Sequence, residues 1–317
     1  MSVNLGQLAA TTWENSRKEI TDNIFKKHAL LNHLKKNGGT KTYTGGLYLR
    51  EPLMYGTNSS VTAFSGTDSL NIDYQEGVDA ARYSPKFYNV SIVFTWTDSI
   101  QNKGKSQIVN LLKAKIKQAQ LSIAGRINND LFNGAGSNAK EITGLDSAVS
   151  TSTTLGEISG STHSWWRGNV DSTSETLSFA DMRTQKNNAN KGNGGSNVSL
   201  MLTTQTLYEK IFSLLTASYY MNSQLVTKEG KRLADASFEN VQFEGVPITW
   251  DESATSGCMY MINKDNFKLG IMEGGNFQSV KKADPADQHL QVAHIVFAGQ
   301  TIVNRRSSLS LLSNKTA

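Results

Sequence analysis

Residues Ser99 to Phe132, SIQNKGKSQIVNLLKAKIKQAQLSIAGRINNDLF, carry the longest uninterrupted helical pattern in the chain, and a helix of that length constrains everything laid against it. Ile100, Ile108, Leu111, Leu112, Ile116, Ala119, Ile123, Ile127 and Leu131 recur at three- and four-residue steps and make one amphipathic stripe. The stretch holds no proline. Thr97, Asp98 and Ser99 offer N-cap oxygens, and Asn133-Gly134 supplies residue types that tolerate the left-handed conformation in which helices stop. At about 1.5 Å per residue such a helix runs to about 50 Å, more than a compact domain of ordinary size needs. The spacing therefore predicts a strut.

Charge on this helix is as uneven as hydrophobicity. Lys103, Lys105, Lys113, Lys115, Lys117 and Arg126 face a single acid, Asp130, for a net +5. Lys103, Lys113 and Lys117 are expected to project opposite the stripe, with Lys105, Lys115 and Arg126 laying their aliphatic stems along its flank. One reading is a helix face made soluble with lysine; the other is a surface that faces a polyanion. Residues 1–41 carry seven Lys or Arg against three acids, so with a formal charge of +5 for the whole chain the remainder is net −4. The positive charge is confined to two segments. Placed on one face, they would suit holding nucleic acid without base readout.

At 317 residues and 38% hydrophobic composition the chain can build a substantial core. No 18-residue apolar run exists, and MSVNLGQLAATTWENSRKEI lacks the order of a signal peptide, so a protein made and used without secretion or a membrane partner is expected. A single cysteine, Cys258, excludes an intramolecular disulfide and a multi-cysteine zinc site, and reads as a small buried hydrophobe.

Motifs of catalysis fail one by one. Gly104-Lys105-Ser106 imitates the end of a phosphate-binding loop, but Ser99 stands where its first glycine belongs and the residues sit in a helical pattern. Gly192, Gly194 and Gly195 follow a helix and precede a strand, the reverse of the dinucleotide-binding order. His28 and His33, like His289 and His294, are five apart, which suits joint ligation neither from a helix nor from a strand. Asp251-Glu252 follows a strand and reads as an exposed loop pair. No catalytic, cofactor or metal residue is assigned, and the chain is not expected to be an enzyme.

In chain order, residues 13–36 space Trp13, Ile20, Ile24, Leu31 and Leu34 helically, with Lys26, Lys27, Lys35 and Lys36 between them, and end at Asn37-Gly38-Gly39: a basic amphipathic helix or arm. From Lys41 to Trp96, TKTYTGGLYLREPL, SVTAFSGTDSLNIDYQ and KFYNVSIVFTWTD read as strands of a two-stranded excursion that returns to the root of the helix. Such a ribbon buries little of itself, and its edges call for a covering partner. Beyond the helix lies a Gly/Ser/Thr-rich stretch in which Trp165-Trp166 suits packing better than a stacking platform. A short helix follows over Phe179–Lys191, then the strand SLMLTT, a helix over Gln205–Ala217, and VQFEGVPITW, CMYMIN and NFKLGIM as a mixed α/β lobe. LQVAHIVFAGQTIV is the last strand, with a frayed, weakly basic tail after it.

This order of arm, ribbon, long helix and α/β lobe resembles the major capsid protein of tailed double-stranded DNA bacteriophages, a fold shared with the herpesvirus capsid floor. The likeness is carried by FTWTDSIQNKGKSQIVNLLKAKIKQAQLSIAGRINNDLFNG followed by ITGLDSAVS, and by VQFEGVPITWDES with CMYMINKDNFKLGI. It implies an α+β chain with an N-terminal arm (1–40), an extended β-ribbon loop (41–85), a peripheral domain (86–196) whose spine is helix 99–132, an axial α/β domain (197–285) and a return to the peripheral domain with a tail (286–317). The implied function is structural: self-assembly into the hexamers and pentamers of an icosahedral shell, built in the host cytoplasm, with a separate scaffolding protein and a portal as partners. Lys26, Lys27, Lys35, Lys36, Lys103, Lys113 and Lys117 would face packaged DNA, and Leu47, Tyr48, Leu49, Arg50 and Phe64 would meet neighbouring subunits. Some members crosslink through a lysine of the extended loop; none lies between Thr42 and Pro85, so no such bond is expected. A tail-tube or decoration protein, or a sequence-independent DNA-binding protein, remains the alternative.

Overall fold

The computed structural model describes residues 28–72, 74–95, 105–134, 140–191, 197–221, 241–283 and 290–317. Helix α1 (Ala29–Lys36) leads to β1 (Thr40–Tyr43), the ribbon strands β2 (Leu49–Met54) and β3 (Val78–Tyr83), β4 (Lys86–Thr95) and the long helix α2 (Lys105–Asn133). After α3 (Leu145–Ala148) come β5 (Thr154–Leu155), β6 (Ile158–Ser159), β7 (Asn169–Asp171), β8 (Glu175–Thr176) and α4 (Phe179–Asn190). The remainder is β9 (Leu200–Thr203), α5 (Gln205–Met221), β10 (Val241–Phe243), β11 (Val246–Trp250), β12 (Met259–Ile262), β13 (Phe267–Met272), β14 (Gln278–Ala283), β15 (Leu290–Val303), β16 (Ser310–Leu312) and β17 (Lys315–Thr316). This is the α+β chain that the resemblance implies.

Strand β15 organises the first sheet. Its Leu290–Gly299 run pairs with β4 along one side, while the other side takes β14 near its start and β13 near its end, with β1 parallel to β13 beyond. The second sheet runs β10-β11-β9-β12-β16-β7. Strand β9 at its middle is buried on both faces, as its unbroken apolar run requires. Leu200, Leu202, Tyr260 and Ile262 turn toward the core shared with α2, whereas Met201, Met259 and Met261 face α4 and α5 through Met182, Leu207 and Ile211. The strand period of two thus feeds two cores from one sheet. Strands β13 and β14, which fall inside 197–285, pair with β15, and β7 and β16, which fall outside it, complete the six-stranded sheet.

Of the predicted stripe on helix α2, Ile116, Ala119, Ile123, Ile127 and Leu131 are buried, joined by Ala124 and Phe132, while Ile100 and the side chains of Ile108, Leu111 and Leu112 lie outside what is described. Residues 96–104, with the expected N-cap and Lys103, lie outside the described residues, as do residues 1–27 of the arm. The helix ends at Asn133, but for a different reason from the one expected. Gly134 does not take a left-handed φ. Instead the chain at Ile142–Gly144 crosses directly over it, and a Cβ on Gly134 would stand 1.9 Å from Ile142 O and 2.4 Å from Asp130 O. Both obstacles are backbone, so no rotamer relieves them. Gly134→Ala is expected to cost about 2–4 kcal/mol, read as a fall in the urea midpoint; an unchanged midpoint would contradict the crossing.

Two expectations are overturned. SVTAFSGTDSLNIDYQ forms no strand: between Tyr55 and Gly77 no described residue joins a ladder. A strand pattern needs a partner edge to become a strand, and this stretch has none among the described residues. The tail is not frayed either. β16 is an interior strand between β12 and β7, and the Lys315 side chain is wholly buried, 3.1 Å from Asp171 Oδ2 and paired also with Glu175. Short polar runs such as NRRSSLSLLSNK conceal a central strand because three residues are too few to show a period.

Candidate assembly and polyanion surfaces

The ribbon is anchored at its root and bare at its tip. Leu49, Leu53, Ala81 and Tyr83 are buried in the main core, and Tyr83 donates from its hydroxyl to Val303 O at 2.7 Å. Lys41 and Tyr43 on β1 both bond the buried carboxylate of Glu51 on β2, tying the ribbon to the first sheet. Burial, followed by the Glu51 hydrogen bond, raises the Tyr43 pKa far above the ordinary phenol range, so the hydroxyl remains a donor. The last anchor is Tyr55, stacked on Trp165 at 4.6 Å between ring centroids. Trp166 is buried and donates from Nε1 to Leu155 O at 2.9 Å. The tryptophan pair packs, as expected.

Beyond Tyr55 the apolar side chains are exposed among the described residues. Of the thirteen large hydrophobic residues exposed among those described, nine belong to the ribbon: Leu47, Met54, Tyr55, Val61, Phe64, Leu70, Ile72, Tyr74 and Val78. Monomeric proteins rarely leave such a concentration in water, so the tip has the character of a contact surface. Of the residues expected to meet neighbours, Leu47 and Phe64 are exposed, Arg50 is exposed and Tyr48 is half-buried. Leu49 is a correction: it is fully buried inside its own subunit, because alternation along β2 turns it to the core. Val61, Leu70, Ile72 and Tyr74 were missed, although Leu70, Ile72 and Tyr74 sit at strand spacing.

The basic residues divide by what they touch. Lys35 and Lys36 are exposed at the C-terminus of α1, where Leu30, Leu31 and Leu34 hold that helix on the core, and Lys113 and Lys117 are exposed on α2. Lys115 instead lies over the Phe94 ring and donates to Val93 O at 3.0 Å, and Arg126 bonds Asp130 Oδ2 at 2.9 Å and also Glu141. Asp130 is buried and takes a further bond from the Tyr88 hydroxyl at 2.7 Å. Lys113 and Lys117 each lie two residues from Lys115, about 160° round the helix, on the side away from β4. Lys26, Lys27 and Lys103 lie outside the described residues.

Polar contacts join the end of α2 to the second sheet. Asp251 is buried, not an exposed loop carboxylate: it accepts from Asn128 Nδ2 at 2.7 Å and from Ser253 N at 3.0 Å. Cys258 is a free, buried thiol, its pKa raised by burial. His33 holds α1 to the start of β9, with Nε2 3.0 Å from Ser199 Oγ and Nδ1 3.0 Å from Asn37 Nδ2. Burial, with Lys264 nearby, lowers the imidazole pKa below its ordinary value. The unfolded chain then binds the proton more readily than the folded one, so the contribution is present above pH about 6.5 and is lost as pH falls through the lower folded value. His33→Gln is expected to flatten the acid-side fall of the urea midpoint; a fall as steep as in the parent would contradict this. Among the described residues no cluster of three or more His, Cys, Asp or Glu is placed to hold a metal ion, and no helix is long and apolar enough to cross a membrane.

No family model and no curated protein matches the sequence. Solved structures do. The cyanophage A-1(L) capsid asymmetric unit superposes with a TM-score of 0.66 at 18% identity, over 85% of this chain and 88% of that one. The capsid of the native GTA particle gives a TM-score of 0.55 at 12% identity, covering 90% of each chain. The SrpI encapsulin of Synechococcus elongatus gives 0.52 at 10% identity, over 87% of this chain and 85% of that one. Identities this low with coverage this complete establish architecture, and the architecture is that of the tailed-phage major capsid proteins.

Proposed function

We propose that this chain is the major capsid protein of an icosahedral shell that encloses double-stranded DNA. The carrying observation is the ribbon: in a capsid-type fold, an excursion anchored at its root exposes Val61, Phe64, Leu70, Ile72 and Tyr74 among the described residues, and a neighbouring subunit can cover them at every position of a closed shell. Hexamers and pentamers of one chain supply such a neighbour, and the whole molecule is an assembly part with a place in the virion. A tail-tube or decoration protein has no comparable need for this fold.

Lys35, Lys36, Lys113 and Lys117, with Lys26, Lys27 and Lys103, are assigned to the inner surface, contacting the DNA backbone without sequence preference. Their exposure where described, and the confinement of positive charge to two segments, support this. A scaffolding protein and a portal complete the proposed partners. An encapsulin-type protein shell is the second reading, since one structural neighbour is an encapsulin. Sedimentation of the full chain, expressed alone and with candidate scaffolding proteins, followed by extraction of nuclease-treated particles, tests the proposal. Fast-sedimenting particles that protect DNA are expected. Particles holding protein cargo and no DNA would favour the second reading, and a chain that stays unassembled under every condition would overturn both.

A further inference from the structure

We infer that the junction between the end of α2 and the second sheet is a cation site, where oxygens of Asn128, Thr249 and Asp251 hold a divalent ion of the calcium class. The site belongs to the single subunit and does not rest on the shell reading. Four buried side-chain polar atoms have no hydrogen-bond partner among the described residues, and two of them, Asn128 Oδ1 and Thr249 Oγ1, belong to this junction. Asn128 is 1% exposed and Asp251 6%. Thr249, two residues before Asp251, turns toward α2, because its register partner Leu202 faces the α2 core.

Turning the Asn128 amide over does not satisfy it. Nδ2 donates to Asp251 Oδ1 at 2.7 Å and to Ser253 Oγ at 2.9 Å, and the flipped amide would set its oxygen against a carboxylate. Oδ1 is therefore fixed as an acceptor with no donor. Covalent geometry keeps it within about 5 Å of Asp251 Oδ1, a span that two ligands of one calcium ion cover at about 2.3–2.6 Å each.

Charge points the same way. Asp251 also accepts from Ser253 N at 3.0 Å. A second carboxylate, Asp146, is linked to this turn: it takes Thr255 Oγ1 at 2.9 Å and the Tyr260 hydroxyl, while Thr255 Oγ1 also meets Asn133 Oδ1 at 2.8 Å and Asn133 Nδ2 reaches Ser253 O at 3.2 Å. Among the described residues no ion pair neutralises either acid. A buried carboxylate without a counter-charge is costly. A water could donate to Asn128 Oδ1 and would leave both acids uncompensated; a divalent cation meets both needs. One carboxylate, an amide oxygen and hydroxyls are hard ligands throughout, which suits calcium better than zinc or copper. With a single direct carboxylate, half-saturation is expected at about 0.1–1 mM. Most of these ligands are neutral, so the site is no cluster of His, Cys, Asp or Glu.

The test uses the full unassembled chain, stripped of divalent ions by a chelator and returned to calcium chloride. Calcium at about 10 mM is expected to raise the melting temperature by about 2–4 °C, and magnesium by less than half as much, because magnesium gives up its waters reluctantly. Asp251→Asn is expected to abolish the calcium shift. Asn128→Asp, which adds a second carboxylate, is expected to lower the melting temperature without calcium and to enlarge the calcium shift at least twofold. A purely structural hydrogen bond would give no such gain, so this variant decides even where Asp251→Asn unfolds the chain. No shift in the parent, an equal shift with magnesium, a shift that survives Asp251→Asn, or a shift unchanged in Asn128→Asp would overturn the inference and assign Asn128 Oδ1 to a buried water. Each of these results leaves the shell reading standing.

Discussion

Replacing Arg306 by Met is expected to destabilise the unassembled chain by about 4 kcal/mol or more, a larger effect than any surface substitution. The side chain is fully buried. Its guanidinium donates to Ala148 O at 2.9 Å, Thr153 O at 2.9 Å, Trp166 O at 3.1 Å, Ser147 O at 3.1 Å, Ser150 O at 2.8 Å and Thr153 Oγ1 at 2.8 Å. These are the carbonyls of an irregular stretch between α3 and the tryptophan pair, which form few ladder bonds of their own. Burial pulls the Arg306 pKa down to about 10, which leaves the group charged at neutral pH. Met fills similar volume but takes the guanidinium from five carbonyls: Ser147 O, Ser150 O and Thr153 O keep Thr153 Oγ1, Gly168 N and Gly160 N as donors, whereas Ala148 O and Trp166 O lose theirs, at about 1–3 kcal/mol each before relaxation. Lysine restores the charge with only three donors in place of a planar fork, so Arg306→Lys is expected to recover less than half of the loss. Urea unfolding of the three proteins checks the order; a methionine variant within about 0.5 kcal/mol of the parent would contradict the hub role.

The second large effect falls on assembly and spares folding. Val61 and Phe64 are 84% and 66% exposed in the single chain, so Val61→Asp and Phe64→Asp remove no contact that holds the subunit together. Their urea midpoints should match the parent within about 0.5 kcal/mol. In a shell, each such side chain buried against a neighbour contributes about 1.5–3 kcal/mol, and every subunit repeats the contact. The double variant is expected to yield at least tenfold less particulate protein than the parent at equal expression. Normal particle yield would mean that these residues face solvent in the assembly.

How much of this was legible follows from which interactions are local. The later part of the α2 stripe, the short helix after Ser178 and β9 could be read because a period spans a few residues; the Ser178 cap with its Asp181 capping box was seen only in the structure. SVTAFSGTDSLNIDYQ misled, because its alternation suggested a strand and no described residue between Tyr55 and Gly77 joins a ladder. Long-range pairings were not legible. Nothing in NRRSSLSLL announces that Ser310–Leu312 will lie between β12 and β7, or that Arg306 will gather carbonyls from residues 147–166. Asp251 looked like a loop acid because its partner, Asn128, lies 123 positions away. For the surfaces, the sequence located the basic segments and the ribbon, but only burial separated Leu49, committed to its own core, from Leu47 and Phe64.

Electron microscopy of the full chain, expressed alone and with candidate scaffolding proteins, tests the central claim most directly. The account predicts closed shells, or hexamer and pentamer rings on the way to them, with the ribbon tip of each copy lying on its neighbour. Monodisperse small particles under every condition, or open tubes, would contradict it.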